Sequence, residues 1–244
     1  MPNSEKVVLV SGSTKGIGKA IVKRFIEDGY LVIQNSRNKI DKSDLVATKH
    51  IQFDVTNYQD CLKLIETVQK EFGRLDILIC NVGSGAELEN KVSSEKRWDH
   101  FIDINLLSAA YLVDVAISML LKSRGNVVAI SSICGSYQVN GAPVEYSVSK
   151  AALNMFIKSM ALKYGKSGVR FNAVSPGNVM FNGSTWHTKL KNNEVEVNKF
   201  IIDNVPMGVF VESEDVAEAV LFLASNKSRF TTGAIINVDG GQSL

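Results

Sequence analysis

Seven short apolar runs alternate with helix-length segments along this chain, and that alternation restricts its fold more than any other feature. The runs are "KVVLVSG", "LVIQNS", "HIQFDV", "LDILICNVG", "NVVAISS", "VRFNAVSPG" and "AIINVDGG". Most are apolar at consecutive positions, as strands buried on both faces are. Between them lie helical stretches: about Ile17 to Asp28, closed by Gly29; "YQDCLKLIETVQKEFG", closed by Gly73; about Glu95 to Lys122; about Tyr146 to Tyr164; and "SEDVAEAVLFLAS", with Ser213 as candidate N-cap. Strands that alternate with helices pair in parallel through right-handed crossovers. The expected architecture is α/β: a Rossmann fold with a doubly wound seven-stranded parallel sheet and helices on both faces. Residues 1–244 form a single domain on this reading, a usual length for one α/β unit.

Composition removes several classes. Apolar residues make up 45% of the chain and charged residues 21%, so a large core can form and disorder is not expected. A formal net charge of +2 with scattered basic residues gives no field for nucleic acid. The start, "MPNSEKVVLV", runs into a strand without a signal-peptide pattern. "INLLSAAYLVDVAISMLL" has the length of a membrane span, but Asp114 and other polar positions favour a core helix, and no membrane association is expected. Cys61, Cys80 and Cys134 are odd in number and lack metal-ligand spacing, which suits reduced thiols in a cytoplasmic protein. His50, His100 and His187 are far apart, so no metal site is expected.

The first strand is followed by "SGSTKGIGKA", which places Gly12, Gly16 and Gly18 at a strand-to-helix turn. Glycine permits positive φ and close approach of the backbone to a phosphate. The helix start then offers free N–H groups and a positive dipole end. The spacing is G-x-x-x-G-x-G rather than the usual dinucleotide G-x-G-x-x-G. A phosphate-binding P-loop would need Ser or Thr after the lysine, and Ala20 follows Lys19. A turn without ligand is the plain alternative; the position after strand one favours a nucleotide.

At the end of the second strand, where an acidic residue would bind the ribose 2′-hydroxyl of NAD, the chain reads "QNSRNK". Ser36 and Arg37 suit a 2′-phosphate instead, with Lys15 of the glycine turn as a second cation. Arg37 taken alone reads equally as a surface residue. A missing acid together with a present base favours NADP(H).

The fifth strand ends in "AISSICG", and ligands of doubly wound sheets sit at the carboxyl ends of strands. Ser132 therefore faces the cofactor crevice. Tyr146 and Lys150 in "VEYSVSKAAL" share one helix face at i and i+4. In isolation they read as a partly buried tyrosine beside a solvated lysine. The loop from Ser132 is long enough for all three to converge on one point.

Over essentially its full length the sequence resembles the short-chain dehydrogenase/reductases (SDRs). "SGSTKGIG" is similar to the family's T-G-x-x-x-G-x-G turn, with Ser11 for threonine; "CNVG" is similar to N-N-A-G, with Cys80 for the first Asn and Val82 for Ala. "FDVT", the Asn105 of "INL", "ISS" with "YSVSK", and "SPGNV" complete the likeness. The resemblance implies catalytic roles for Asn105, Ser132, Tyr146 and Lys150. It implies cofactor contacts from Gly12, Thr14, Lys15, Gly16, Ile17, Gly18, Ser36, Arg37, Asp54, Val55, Asn81, Val82, Gly83, Tyr146, Lys150, Pro176, Gly177 and Val179, with Asp54 at the adenine. The threonine that often follows the P-G turn is Phe181 here, which leaves Ser184 or Thr185 as candidates for the carboxamide contact.

The implied reaction interconverts a carbonyl and a secondary alcohol. Tyr146 exchanges a proton with the substrate oxygen, Ser132 orients that oxygen, and Asn105 holds a water that links Lys150 to solvent. Lys150 is expected to bind the nicotinamide ribose and lower the phenol pKa. Ionising tyrosine at neutral pH needs a drop of about 3 units, or about 4 kcal/mol. One cation about 5 Å away supplies roughly 3 kcal/mol at an effective dielectric of about 20.

The stretch from about 178 to 210 is long for a strand-to-helix connection and is expected to form a substrate lid. Its Trp186, His187, Lys189 and Lys191 suggest a polar or sugar-like substrate; Ser84, Val139 and Asn140 mark the alternative pocket. Reductases of 3-oxoacyl groups on acyl carrier protein are the main alternative enzymes. Their docking arginines correspond to Ser123 and Ser167 here, with Arg124 and Arg170 adjacent. A non-catalytic NADP-binding regulator is a third reading. By resemblance, the two most apolar helices pair subunits in a homotetramer or homodimer.

Overall fold

The computed structural model describes residues 3–40, 45–86, 88 and 92–244. Its centre is a seven-stranded, all-parallel sheet in the order β3-β2-β1-β4-β5-β6-β9. The strands are β1 (Val7–Val10), β2 (Leu31–Ser36), β3 (Lys49–Gln52), β4 (Ile77–Cys80), β5 (Asn126–Ile130), β6 (Arg170–Pro176) and β9 (Ile235–Val238). Strand order reverses between β1 and β4, and the crevice opens at their carboxyl ends. Registers Val10↔Gln34, Val10↔Ile79 and Ile130↔Val174 bring these ends to one rim.

Alternate strand residues feed two cores. Val8, Val10, Ile79, Val128 and Val174 pack with Ile21, Phe25, Val220 and Leu223 of α1 (Gly16–Glu27) and α8 (Ser213–Ala224). Leu9, Leu78, Val127 and Phe171 pack with α2 (Tyr58–Phe72), α4 (Ser108–Ser123) and α5 (Val144–Tyr164) through Leu64, Leu112 and Ile157. Burying one such aliphatic side chain stabilises by about 1.5–3 kcal/mol.

Helix ends follow local chemistry. Asn57 caps α2 by accepting from Asp60 N at 3.1 Å, and Gly73 ends it at φ +70°. The expected N-cap Ser213 is displaced by one residue. Glu212 caps α8 in a reciprocal box with Asp215, and the Ser213 hydroxyl is buried without a partner. A carboxylate can accept an N3 amide as a hydroxyl does, and Glu212 has the acidic residue at N3 that completes the box.

The single long helix expected from Glu95 to Lys122 is interrupted. Helix α3 (Ser94–Ile102) passes through a π-helical turn, Asp103–Leu107, into α4. The span Ser94–Ser123 is long and apolar enough to cross a membrane. Its buried Leu112, Val113, Ala116 and Leu120 are instead part of the core beneath the sheet.

The segment between Pro176 and α8 forms a small layer. β7 (Val179–Met180) pairs in parallel with β8 (Val211–Glu212), a ribbon the sequence did not announce. Between them lie α6 (Thr185–Asn192) and α7 (Glu194–Asn204), which share their own core of Val197, Val205 and Phe210 with Trp186 and Phe200.

Candidate active site

Helix α5 carries Tyr146 and Lys150 on the face turned to the crevice. Lys150 is 3% exposed, and its Nζ donates to Ile130 O at 2.8 Å at the end of β5. The ammonium lies 6.0 Å from the Tyr146 ring centroid. Burial lowers Lys150 to about 8, because the charged form loses water and gains no carboxylate among the described residues. Burial also pushes the Tyr146 phenol up to about 12, with the Ser132 hydroxyl pulling the other way. Burial thus acts on the phenol against the depression expected from Lys150. Desolvation by burial is the largest effect on the phenol.

The π turn places Asn105 in the same cluster. It is fully buried; its Oδ1 accepts from Ser84 N at 2.9 Å and its Nδ2 donates to Ser84 O and Phe101 O at 3.1 Å each. A Cβ built on Gly83 would lie 2.8 Å from Asn105 Oδ1 and 2.9 Å from Lys150 Nζ, so only glycine lets these two groups approach. A π bulge re-aims one side chain out of the helical ladder and recurs at functional sites.

Ser132 ends the β5 rim and accepts from Cys134 N at 3.2 Å. Its loop is held by Asn154, one turn beyond Lys150. Ser131 Oγ donates to Asn154 Oδ1 at 2.6 Å, and Asn154 Nδ2 donates to Gly135 O at 3.2 Å. Sequence reasoning missed Asn154; a polar residue on the core-facing side of a buried helix is the signal. It also missed Gly85, where a Cβ would come within 3.1 Å of Tyr146 Cζ. Arg97 and Glu145 are a third omission. Their ion pair, 3.0 Å long, ties α3 to α5 beside Tyr146.

The glycine turn has the geometry an anion needs. Gly12 and Gly16 take φ of +61° and +51°. Lys15 precedes α1 in extended conformation, and no side chain caps the helix, so first-turn amides stay available. Asn81 Nδ2 braces the turn, donating to Gly12 O at 2.9 Å and Ser11 O at 3.1 Å. A Cβ on Gly12 would lie 2.9 Å from Val82, and one on Gly18 would lie 2.6 Å from Asn81 Nδ2. A dinucleotide fits this cradle, with Thr14 and Ile17 flanking the central glycine in sequence. One group intrudes: the Phe181 ring packs on Gly16, within 2.7 Å of where a Cβ would stand.

Further along the rim, Arg37 is exposed and Ser36 half-buried at the end of β2. Asp54 Oδ1 holds Thr56 through its N at 3.0 Å and its Oγ1 at 2.8 Å, and Val55 is buried beside it. On the other side, β6 ends at Pro176. Gly177 is packed tightly on Asp239 and Gln242, and Val179 joins β7. Of the carboxamide candidates, Ser184 is spent capping α6, accepting from His187 N at 3.0 Å, and Thr185 is exposed. The lid residue Trp186 is also redirected. Its indole stacks within 4.7 Å of Phe200 and Phe210 in the lid's own core, with Lys189 above it at 4.7 Å.

A doubly wound sheet with a glycine turn after β1 and a Tyr–Lys pair at the same rim defines a dinucleotide-dependent oxidoreductase. Comparison with known proteins agrees. The family model described as enoyl-(acyl carrier protein) reductase matches residues 12–243. The 3-oxoacyl-[acyl-carrier-protein] reductase of Buchnera aphidicola is 35% identical over 249 residues, covering 99% of this chain and 98% of that enzyme. Glucose 1-dehydrogenase 2 of Bacillus subtilis is 31% identical over 253 residues, covering 98% and 95%. The ligand-free aldohexose dehydrogenase of Thermoplasma acidophilum superposes with a TM-score of 0.86 at 32% identity, covering 98% of this chain and 94% of that one. The chain belongs to the short-chain dehydrogenase/reductase family and is an oxidoreductase of the kind that uses a nicotinamide cofactor.

Proposed function

We propose that this protein is an NADP(H)-dependent oxidoreductase that interconverts a carbonyl and a secondary alcohol on a polar, sugar-like molecule. The observation that carries this reading is the convergence of Asn105 and Lys150 at Gly83 with Tyr146 beside them against Gly85, made possible by the π turn. The bound dinucleotide supplies or accepts the hydride. Tyr146, protonated at neutral pH with its pKa near 12, is the proton donor to a forming alkoxide. Ser132 donates to the same oxygen and fixes its position. Lys150 carries its charge beside the nicotinamide ribose, and Asn105 connects it towards solvent. Lys15, Ser36 and Arg37 hold the 2′-phosphate, while Asp54 and Val55 line the adenine site.

Reduction of 3-oxoacyl groups on acyl carrier protein is the second reading, favoured by one of the relatives above. Against it, Arg170 is not free to dock an acidic partner. Its guanidinium donates to Ser228 Oγ, Thr231 O and Ser225 O at 3.1–3.2 Å. A purely regulatory NADP-binding role is disfavoured because the proton-transfer groups are all present.

The proposed setting is cytoplasmic, which suits three unpaired cysteines. The proposed assembly is a homotetramer or homodimer. Val148, Met155 and Leu162 form an exposed apolar stripe with seven-residue spacing along α5. The test of function is a steady-state assay of NADPH and NADH oxidation against aldoses, ketoses and 3-oxoacyl thioesters, and of NADP⁺ reduction against the alcohols. Turnover confined to the thioesters would replace the first reading by the second, and absence of turnover with intact dinucleotide binding would favour the regulator.

A further inference from the structure

Ser36 and His50 meet across β2 and β3. His50 Nε2 lies 2.8 Å from Ser36 Oγ, and the same oxygen lies 2.7 Å from Asn38 O. In the strand register His50 pairs with Gln34, so the imidazole reaches forward along the sheet to the hydroxyl two residues on. A serine hydroxyl has one proton. The Asn38 carbonyl can only accept, so Ser36 spends its proton there. The His50 ring must then donate through Nε2–H, because the other tautomer would leave one hydroxyl proton facing two acceptors.

We propose that His50 is a positioning residue for recognition of the cofactor's 2′-phosphate, acting by donating to Ser36 Oγ. This rests on the NADP(H) reading above. With an acceptor site on Ser36 Oγ filled by His50, the hydroxyl is pinned in one place and its single proton is the only group left to redirect. When a phosphate oxygen arrives, that proton turns from Asn38 O to the phosphate. Asn38 is exposed, so its released carbonyl takes a water at little cost. The hydrogen bond from imidazole also polarises the Ser36 O–H towards the anion. Arg37, exposed at the next position, supplies charge, while His50 supplies orientation.

The test is the dissociation constant of NADPH and of NADH, read by fluorescence titration. His50→Phe should weaken NADPH roughly 3–10-fold, the worth of one hydrogen bond, and leave NADH within about twofold. His50→Gln, whose amide can donate to Ser36, should recover most of the loss. In a Ser36→Ala background, His50→Phe should have no further effect. Should Phe at 50 prevent folding, His50→Asn, too short to reach Ser36, takes its place. Equal weakening of both cofactors, no weakening of NADPH, or an undiminished effect in the Ser36→Ala background would overturn the assignment. A wild-type protein that binds NADH as tightly as NADPH would instead sink the NADP(H) reading on which it rests.

Discussion

Lys150 Nζ is bound at 2.8 Å to the Ile130 carbonyl oxygen and stands 6.0 Å from the centroid of the Tyr146 ring. A nearly fully buried ammonium thus meets a neutral acceptor and a phenol face, with no carboxylate among the described residues to balance it. Burial acts on each group in turn: it lowers Lys150 to about 8 and raises Tyr146 to about 12.

That cost gives a pH signature. The folded pKa of Lys150 lies below its ordinary value of 10.5, so between about 8 and 10.5 the unfolded chain binds more protons at this residue. This residue's contribution to folding therefore becomes more favourable as pH rises through that window, and its penalty is complete below it. Chemical denaturation of wild type and Lys150→Met should show the difference moving in favour of wild type by about 1 kcal/mol per pH unit across that range. A pH-independent difference would place the ammonium in water.

Tyr146→Phe removes only the hydroxyl, so thermal unfolding and dinucleotide affinity should be unchanged. Turnover should fall by about 10²–10⁴-fold, the usual worth of general acid–base catalysis. Near-normal kcat would remove Tyr146 from the chemistry.

Arg37→Asp reverses an exposed charge beside Ser36. NADPH affinity should fall at least tenfold more than NADH affinity, on the order of 1.4 kcal/mol of discrimination. Parallel losses would show that Arg37 does not read the 2′-phosphate.

Phe181→Ala should strengthen NADPH binding several-fold, because the ring resting on Gly16 competes for the cradle of the diphosphate. Adenosine 2′-phosphate, which lacks the diphosphate, is the control and should bind unchanged. Weaker NADPH binding would mean that the ring moves aside and packs on the cofactor.

Trp186→Ala deletes the centre of the lid's aromatic cluster. Cavity formation of this kind costs about 3–5 kcal/mol locally. Hydrogen exchange should accelerate in α6 and α7 while the central sheet stays protected. Uniform acceleration would show that the lid and sheet unfold as one unit.

The sheet and most helices were legible because consecutive apolar strand residues and glycine stops are local signals. The glycine turn and the Tyr146–Lys150 pair were legible because their spacing is short. What escaped depends on contacts distant in sequence. Trp186 reads as a substrate-facing indole until Phe200 and Phe210 fold back on it. Asn154, Gly85 and His50 carry no spacing signal; each acquires its place only when another strand or loop arrives. The direction in which burial moves the phenol was not legible either, because Coulomb attraction can be estimated from spacing and desolvation cannot.

The π turn at Asn105 carries one residue more than an α-helical turn would hold. Each helical residue rotates the next by about 100°. Deleting one residue among 103–107 would regularise the helix and swing all of α4 by that angle. Leu112, Ala116 and Leu120 would leave the core, and polar neighbours would replace them. The irregularity that aims Asn105 is therefore locked by the hydrophobic phase of the helix that follows. Selection could not straighten this segment without also rewriting the buried face of the sixteen-residue helix downstream.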